Sequence, residues 1–291
     1  MKKLVRIGKI IILAVAFIVV AFPFFWCLML SFKSNAEIMS IPTTFFPSEW
    51  IVSGYKKVLT EAPFMTWLWN SLFSSVVSTA IVVFTSCLGG YIFGKFNFKG
   101  KNFLFVCVLI TMMVPFQVTM IPTYIICSKL NILNSMSALI IPFMVSGFGI
   151  FLCRQFAESI PNDILEAARI DGAGEWRIFF GIVIHTIKPA IAALCIFIFM
   201  GRWNDYLWPL IAIVDEDKMT LPLALNFFNS SLLTDYCTSM SAGVLVMIPI
   251  IIIYFILPNK FSTSLPIIYK EYILHNKCII PICKNIQVNN L

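Results

Sequence analysis

The chain has 291 residues, of which 59% are hydrophobic and 12% charged, with a mean hydropathy of +0.91 and a net charge of +7. Soluble globular chains carry about 25% charged residues, so this composition excludes a soluble enzyme or binding module and places the chain in a bilayer. The basic residues are scattered instead of forming one stripe, which argues against a nucleic-acid partner and for membrane topology and lipid headgroups.

Residues 1–9 form a basic segment ahead of an uncharged run from Ile10 to Phe32. That run of 23 residues exceeds the roughly 7–15-residue core of a secretory signal, and no A-x-A site follows, so a retained helix is expected. Further uncharged runs cover Ala62–Gly94, Asn102–Ser128, Leu130–Cys153 and Tyr236–Asn259, each longer than the roughly 18 residues that span hydrocarbon. A sixth, Pro189–Val214, is interrupted by Arg202 and Asp205, with Trp203, Tyr206 and Trp208 placed to anchor an interface. Apolarity is continuous and does not alternate with period two, which favours helices over barrel strands. The expected fold is therefore an all-α membrane protein with six transmembrane helices in one domain over 10–259, a cytoplasmic loop at 154–188 and a tail at 260–291. With the N-terminus inside, 15 of the 21 Lys and Arg residues fall on inner segments, so the positive-inside rule predicts cytoplasmic N- and C-termini.

The connections carry further expectations. Residues 33–61, with Pro42, Pro47, Phe45, Phe46 and Trp50, read as a partly ordered outer segment. The link "SKLN" at 128–131 is short enough to make the third and fourth spans antiparallel neighbours. Residues 215–235 open on "DED" and form an acidic outer loop. Pro115, Pro122, Pro142 and Pro249 interrupt spans, and fit either packing kinks or breaks that line a pathway. Cys27, Cys87, Cys107, Cys127, Cys153 and Cys195 lie within or at the ends of apolar runs, where thiols pack as small hydrophobes. His275, Cys278 and Cys283 lack a recognised metal spacing, so no metal site is expected.

"GGYIFGKF" at 89–96 imitates a phosphate loop through Gly89, Gly94 and Lys95. Phe96 stands where that loop needs Ser or Thr for magnesium, and the stretch closes an apolar helix instead of following a strand. Gly90-x-x-x-Gly94 as a close-packing pair at a helix interface is the better reading.

The most polar stretch is "RQFAESIPNDILEAARIDGAGEWRIFFGIVIHTIKP" from Arg154. Pro161 punctuates it, Asn162 or Asp163 is placed to cap a new helix, and Glu166 is expected in its first turn, where the helix dipole favours a carboxylate. Ala167 and Ala168 permit close approach, and Asp171-Gly172 ends the helix in a sharp turn. Trp176, Phe179, Phe180 and Val183 recur at helical spacing, fit to lie against the membrane base. The whole reads as a short knob projecting into the cytoplasm.

Glu-Ala-Ala, three residues, Gly, nine residues, Ile-x-Leu-Pro is the signature of the membrane subunits of ABC importers, and this sequence resembles it at Glu166, Ala167, Ala168, Gly172 and Ile182. Ile184 and His185 stand where Leu and Pro are usual. "VPFQVTMIPTY" (114–124), "IPNDILEAARIDGA" and "RWNDYLWPLI" (202–211) resemble the carbohydrate branch, the maltose and glycerol-phosphate type, over residues 10–258. The resemblance implies a type I ABC importer permease fold and a coupling helix that sits in a cleft of an ATPase. Glu166 would pair with a basic residue there, Ala167 and Ala168 would allow the fit, and Asp171 and Gly172 would make the turn; a solvated carboxylate is the plainer reading of Glu166. The implied partners are a second homologous permease, two ATPase subunits that bind ATP and Mg, an extracellular solute-binding protein touching residues 215–235, and a carbohydrate. No cofactor is expected on this chain, and no catalysis. Trp203, Asn204 and Asp205 fit either a substrate path or an interfacial belt. An ion-coupled secondary transporter is the alternative, although it would want intramembrane acidic residues, and only Asp205 comes near.

Overall fold

The computed structural model describes residues 2–225 and 235–261, and every regular element among them is helical. Helix α1 (Lys2–Leu30) runs through Pro23 without ending. Its stretch Arg6–Leu30 holds an 18-residue window of mean hydropathy 2.8 in which no residue is buried within the chain, as expected of a helix stretch that is apolar on every face and meets lipid.

The segment that follows α1 is more ordered than its composition suggests. Ser34 caps α2 (Asn35–Ile38) by accepting from the Glu37 amide. Glu37 Oε1 accepts from the Thr44 hydroxyl at 2.8 Å and the Ser48 amide at 2.9 Å. The Lys33 ammonium is fully buried and donates to the Thr44 carbonyl and hydroxyl. This frame seats Phe45 against Phe22, Phe25 and Trp26 at the end of α1.

After α3 (Ser53–Thr60), helix α4 (Phe64–Lys95) spans 32 residues unbroken at a mean hydropathy of 1.9. The third expected span is split into α5 (Lys101–Met113) and α6 (Phe116–Lys129), because Pro115 cannot donate and holds Val114 extended. The fourth is split likewise: α7 (Met136–Ile140) passes into a tight turn at Ile141–Phe143 containing Pro142, and α8 (Gly147–Glu158) follows. Pro122 and Pro249 instead lie inside continuous helices. The polar segment after α8 forms α9 (Asn162–Ile170), α10 (Glu175–Ile178), a π-helical stretch at Phe179–Val183 and α11 (Ile184–Thr186). Then come α12 (Lys188–Trp203), α13 (Leu207–Ala212), α14 (Leu221–Ala224) and α15 (Tyr236–Phe261). Among the described residues, two helices are long and apolar enough to cross a membrane unbroken, and up to five if each bent pair counts as one; Tyr236–Ile252 of α15 is a shorter apolar helix.

The expected span Pro189–Val214 is corrected: its helix ends at Trp203, and α13 is a separate element. Asn204 and Asp205 compete for local backbone groups. The Asn204 amide donates to the Met200 carbonyl at 3.0 Å, and Asp205 Oδ1 accepts from the Trp208 amide at 3.3 Å at the start of α13.

The chain folds into two compact units. One comprises the chain up to Ser78, Phe116–Phe143 and Phe199–Ile251. Its core centres on Trp208, which is fully buried, donates Nε1 to the Ala138 carbonyl at 2.9 Å and meets Phe116 and Phe143 edge-on. Trp67 Nε1 and Asn70 Nδ2 bond the carbonyls of Glu216 and Asp217, and Asn134 Oδ1 accepts from the amides of Val214 and Asp215. These bonds fix the start of the acidic loop; residues 226–234 of that loop lie outside the described residues. Trp208→Ala is expected to cost about 3–5 kcal/mol, since it removes a large buried ring and orphans the Ala138 carbonyl. Thermal melting of the purified protein measures it, and an unchanged melting temperature would contradict this core.

The other unit comprises Thr79–Pro115 and Met144–Ile198, with the described residues from Ile252 to Phe261. Its core gathers Cys87, Tyr91, Cys153, Leu165, Phe179, Val183 and Leu194. The glycine pair read from sequence is borne out. A Cβ at Gly90 would stand 2.5 Å from Cys153 Cβ, and one at Gly94 would stand 3.1 Å from Ala157 Cβ, so α4 and α8 touch along that face. Helix α5 packs on α8 as well, with the Arg154 guanidinium 3.8 Å from the Phe105 ring centre. His275, Cys278, Cys283 and residues 262–291 of the tail lie outside the described residues.

Candidate functional site

Helix α9 is short and amphipathic. Leu165 is buried in the core of its unit and Ala168 packs against that core, while Ile164, Glu166, Ala167 and Ile170 face outward. Ile170, 86% exposed at the tip, is an apolar residue that the motif does not single out. Spacing could have flagged it: Ile164, Ala167 and Ile170 recur every third residue along the helix.

Two local expectations are corrected. Neither Asn162 nor Asp163 caps α9, because the non-helical residue before it is Pro161 and no side chain fills that role. Asn162 Oδ1 is instead taken by the Lys95 ammonium at 3.0 Å. Glu166 is in the second turn; the acid of the first turn is Asp163, so the dipole argument belongs to Asp163.

The far end closes as the glycine required. Gly172 adopts φ +81°, and the amides of Gly172 and Ala173 bond back to the carbonyls of Arg169 and Ala168 at 3.0 and 2.9 Å. This is the paired termination that a left-handed residue allows, with Ala173 and Ala168 both packed against the core beneath. Asp171 is exposed between them.

Side chains of α4 bracket α9. The Lys95 ammonium donates to the carbonyls of Ile160 and Glu158, the latter at 3.2 Å, and to Asn162. These acceptors consume the ammonium's donors, so the phosphate-loop imitation at 89–95 supplies a structural lysine. The Tyr91 hydroxyl donates to Glu175 Oε2 at 2.7 Å, and Glu175 Oε1 accepts from Arg169 Nε at 2.7 Å. The hydrogen bond from Arg169, then that from Tyr91, holds the Glu175 carboxyl below its ordinary range despite partial desolvation, so it is ionised at neutral pH. Beside it lies a cavity of about 440 Å3 walled by Tyr91, Phe96, Phe98, Trp176 and Phe179.

The second segment departs from an even amphipathic helix. Phe179 and Val183 are buried, whereas Trp176 and Phe180 are exposed. The π-helical stretch at Phe179–Val183 rotates the face between them. Ile182 is half-buried and packs against the core that includes Leu165. His185, standing where the motif has proline, donates from Nδ1 to the Phe180 carbonyl at 3.1 Å. The helix therefore continues through Thr186 and breaks at Ile187, where Glu175–Thr186 and Lys188–Trp203 meet at a bend of 78°.

Trp203, Asn204 and Asp205 are placed in the other unit. Trp203 and Trp208 are 1% and 0% exposed, which rules out an interfacial-belt role for them, since a headgroup anchor must reach the surface. Their burial was invisible in the sequence because Phe116, Ala138 and Phe143, which enclose Trp208, lie some 65–90 residues away. Asp205 Oδ2 pairs with Arg202 at 3.6 Å, and that guanidinium stacks 3.9 Å above Phe143. Arg202, Asp205, Ser74, Ser78 and Thr220 line a cavity of about 10 Å3. That holds about one water and is far below the roughly 300 Å3 of a ligand pocket.

Long apolar helices and proline-split apolar helix pairs define a multi-pass membrane protein. Residues 86–264 match the family of the binding-protein-dependent transport system inner membrane component, and the chain belongs to that family. It is a permease of the cytoplasmic membrane. It is 33% identical over 87% of its length to the arabinooligosaccharides transport system permease protein AraQ of Halalkalibacterium halodurans, covering 91% of that protein. It is 31% identical to the lactose transport system permease protein LacG of Rhizobium radiobacter, over 89% of this chain and 94% of that one. Its fold is similar, with a TM-score of 0.79 and 25% identity over 89% of this chain and 97% of the other, to a crystal structure of a bacterial ABC transporter involved in the import of the acidic polysaccharide alginate.

Proposed function

We propose that this chain is one of two homologous permease subunits of an ATP-driven importer, and that it helps pass a carbohydrate inward from an extracellular solute-binding protein. The observation that carries the coupling part is α9 itself. It offers Glu166, Ala167 and Ile170 outward and is closed by a glycine in the left-handed region. A solvated loop needs neither that exposed apolar tip nor that termination. Relatives named for arabinooligosaccharides and lactose support a sugar as cargo.

In this reading six spans traverse the membrane, with α12 and α15 as the last two and both termini cytoplasmic. ATP and Mg reside on two separate ATPase subunits, whose nucleotide-driven closure grips α9 differently in its two states; only such differential affinity can shift the permease between conformations. Glu166 meets a basic group of the ATPase, and Ala167 and Ala168 let the surfaces close. The ion-coupled alternative loses support from Asp205, which is engaged by Arg202 and the Trp208 amide.

Uptake into proteoliposomes containing the permease pair separates the two. A panel of oligosaccharides, monosaccharides and glycerol phosphates is expected to enter only with the ATPase and ATP present. Uptake driven by a proton or sodium gradient without the ATPase would reject the proposal.

A further inference from the structure

We infer that α4 is the lever that carries the motion of α9 into the membrane, and that Lys95 and Tyr91 are the positioning residues that fasten the two; this rests on the docking reading above. Lys95 closes the last turn of α4 and reaches the junction of α8 and α9, bonding Glu158, Ile160 and Asn162. The carbonyls at the end of α8 lack helical partners, and an ammonium satisfies them and suits that negative end of the helix dipole. Tyr91 lies one turn back on the same face of α4. Its hydroxyl bonds Glu175, which in turn holds Arg169 in the last turn of α9.

One turn of α4 thus grips the knob at both its beginning and its end. A helix held at one end pivots; one held at both carries its support with it. The adjoining face of α4 leaves no room for slip, because Gly90 brings it against the backbone of α8 at Cys153 and Arg154. A push on α9 is therefore delivered to α4 over two separate points.

The test is hydrogen–deuterium exchange on the importer assembled with its native ATPase and sister subunits, without nucleotide and with ATP and vanadate. In the unmodified protein, nucleotide is expected to change exchange in both α9 and residues 79–95. Lys95→Met should retain the change in α9 while shrinking that in 79–95 about tenfold, the size of a typical coupling. Lys95→Arg, which still donates to the same carbonyls, should restore it. A lysine that merely stabilises the fold would raise exchange in both states and leave the nucleotide difference in place. That pattern, or an unaltered response of 79–95 in Lys95→Met, would overturn the lever. Tyr91→Phe removes a single hydroxyl and carries the same test if Lys95→Met fails to assemble. No nucleotide response in α9 of the unmodified importer would instead refute docking.

Discussion

Replacing Gly172 with valine is expected to abolish ATP-driven sugar uptake while leaving the protein in the membrane at its normal level. The residue has φ +81°, and no atom lies within 4 Å of where a Cβ would stand, so the penalty is a matter of backbone conformation and not of collision. Left-handed geometry costs ordinary residues about 1–2 kcal/mol, and for a β-branched one it is an outlier. Valine would shift the end of α9, breaking the bonds from Gly172 and Ala173 to Arg169 and Ala168. Arg169 would then leave Glu175, and the exposed tip at Ile170 would turn away from its partner. Insertion depends on the apolar spans and is untouched. Gly172→Asn is the control, since asparagine tolerates this conformation and should keep most of the uptake. Normal uptake by the valine variant, measured beside membrane levels of each protein, would remove α9 from the coupling mechanism.

What the sequence disclosed follows from the range of the interactions involved. Apolarity and length marked α1 and α4, because a bilayer span is a local property of the chain. The break at Pro115 and the left-handed turn at Gly172 were also local: each depends on one residue's backbone limits. The Gly90–Gly94 pair was legible because two glycines one turn apart expose a bare strip of helix.

Pairings across distance were not legible. Lys95 read as an inner positive charge, and nothing nearby in sequence announced that Ile160 and Asn162 would claim it. Glu175 lay in a loop with no stated role, since its partner Tyr91 precedes it by 84 residues. The burial of Trp203 and Trp208 is hidden in the sequence for the same reason, their aromatic character fitting a headgroup belt as well as a core. The π-helical stretch was missed because Phe179, Phe180 and Val183 satisfy a 3.6-residue period approximately, and only the packing of Phe179 and Val183 shows the altered winding.

The glycines of the chain supply a graded test of the packing that the lever requires. At Gly90 an added methyl would meet Cys153 Cβ at 2.5 Å and the backbone nitrogen of Arg154 at 2.7 Å, and neither is the flexible end of a side chain. Gly90→Ala should therefore destabilise by about 1–3 kcal/mol through overpacking, exceeding the roughly 0.5–1 kcal/mol that alanine gains over glycine within a helix. At Gly94 the nearest atom is Ala157 Cβ at 3.1 Å, a contact that a small helix shift relieves, so Gly94→Ala should cost less. At Gly181 nothing lies within 4 Å, and Gly181→Ala should be neutral or slightly stabilising. Melting temperatures of the three purified variants should rise in the order 90, 94, 181. If Gly90→Ala melts with the unmodified protein, α4 and α8 do not touch where Lys95 and Tyr91 need them to, and a knob fastened to a loosely seated helix could not move it.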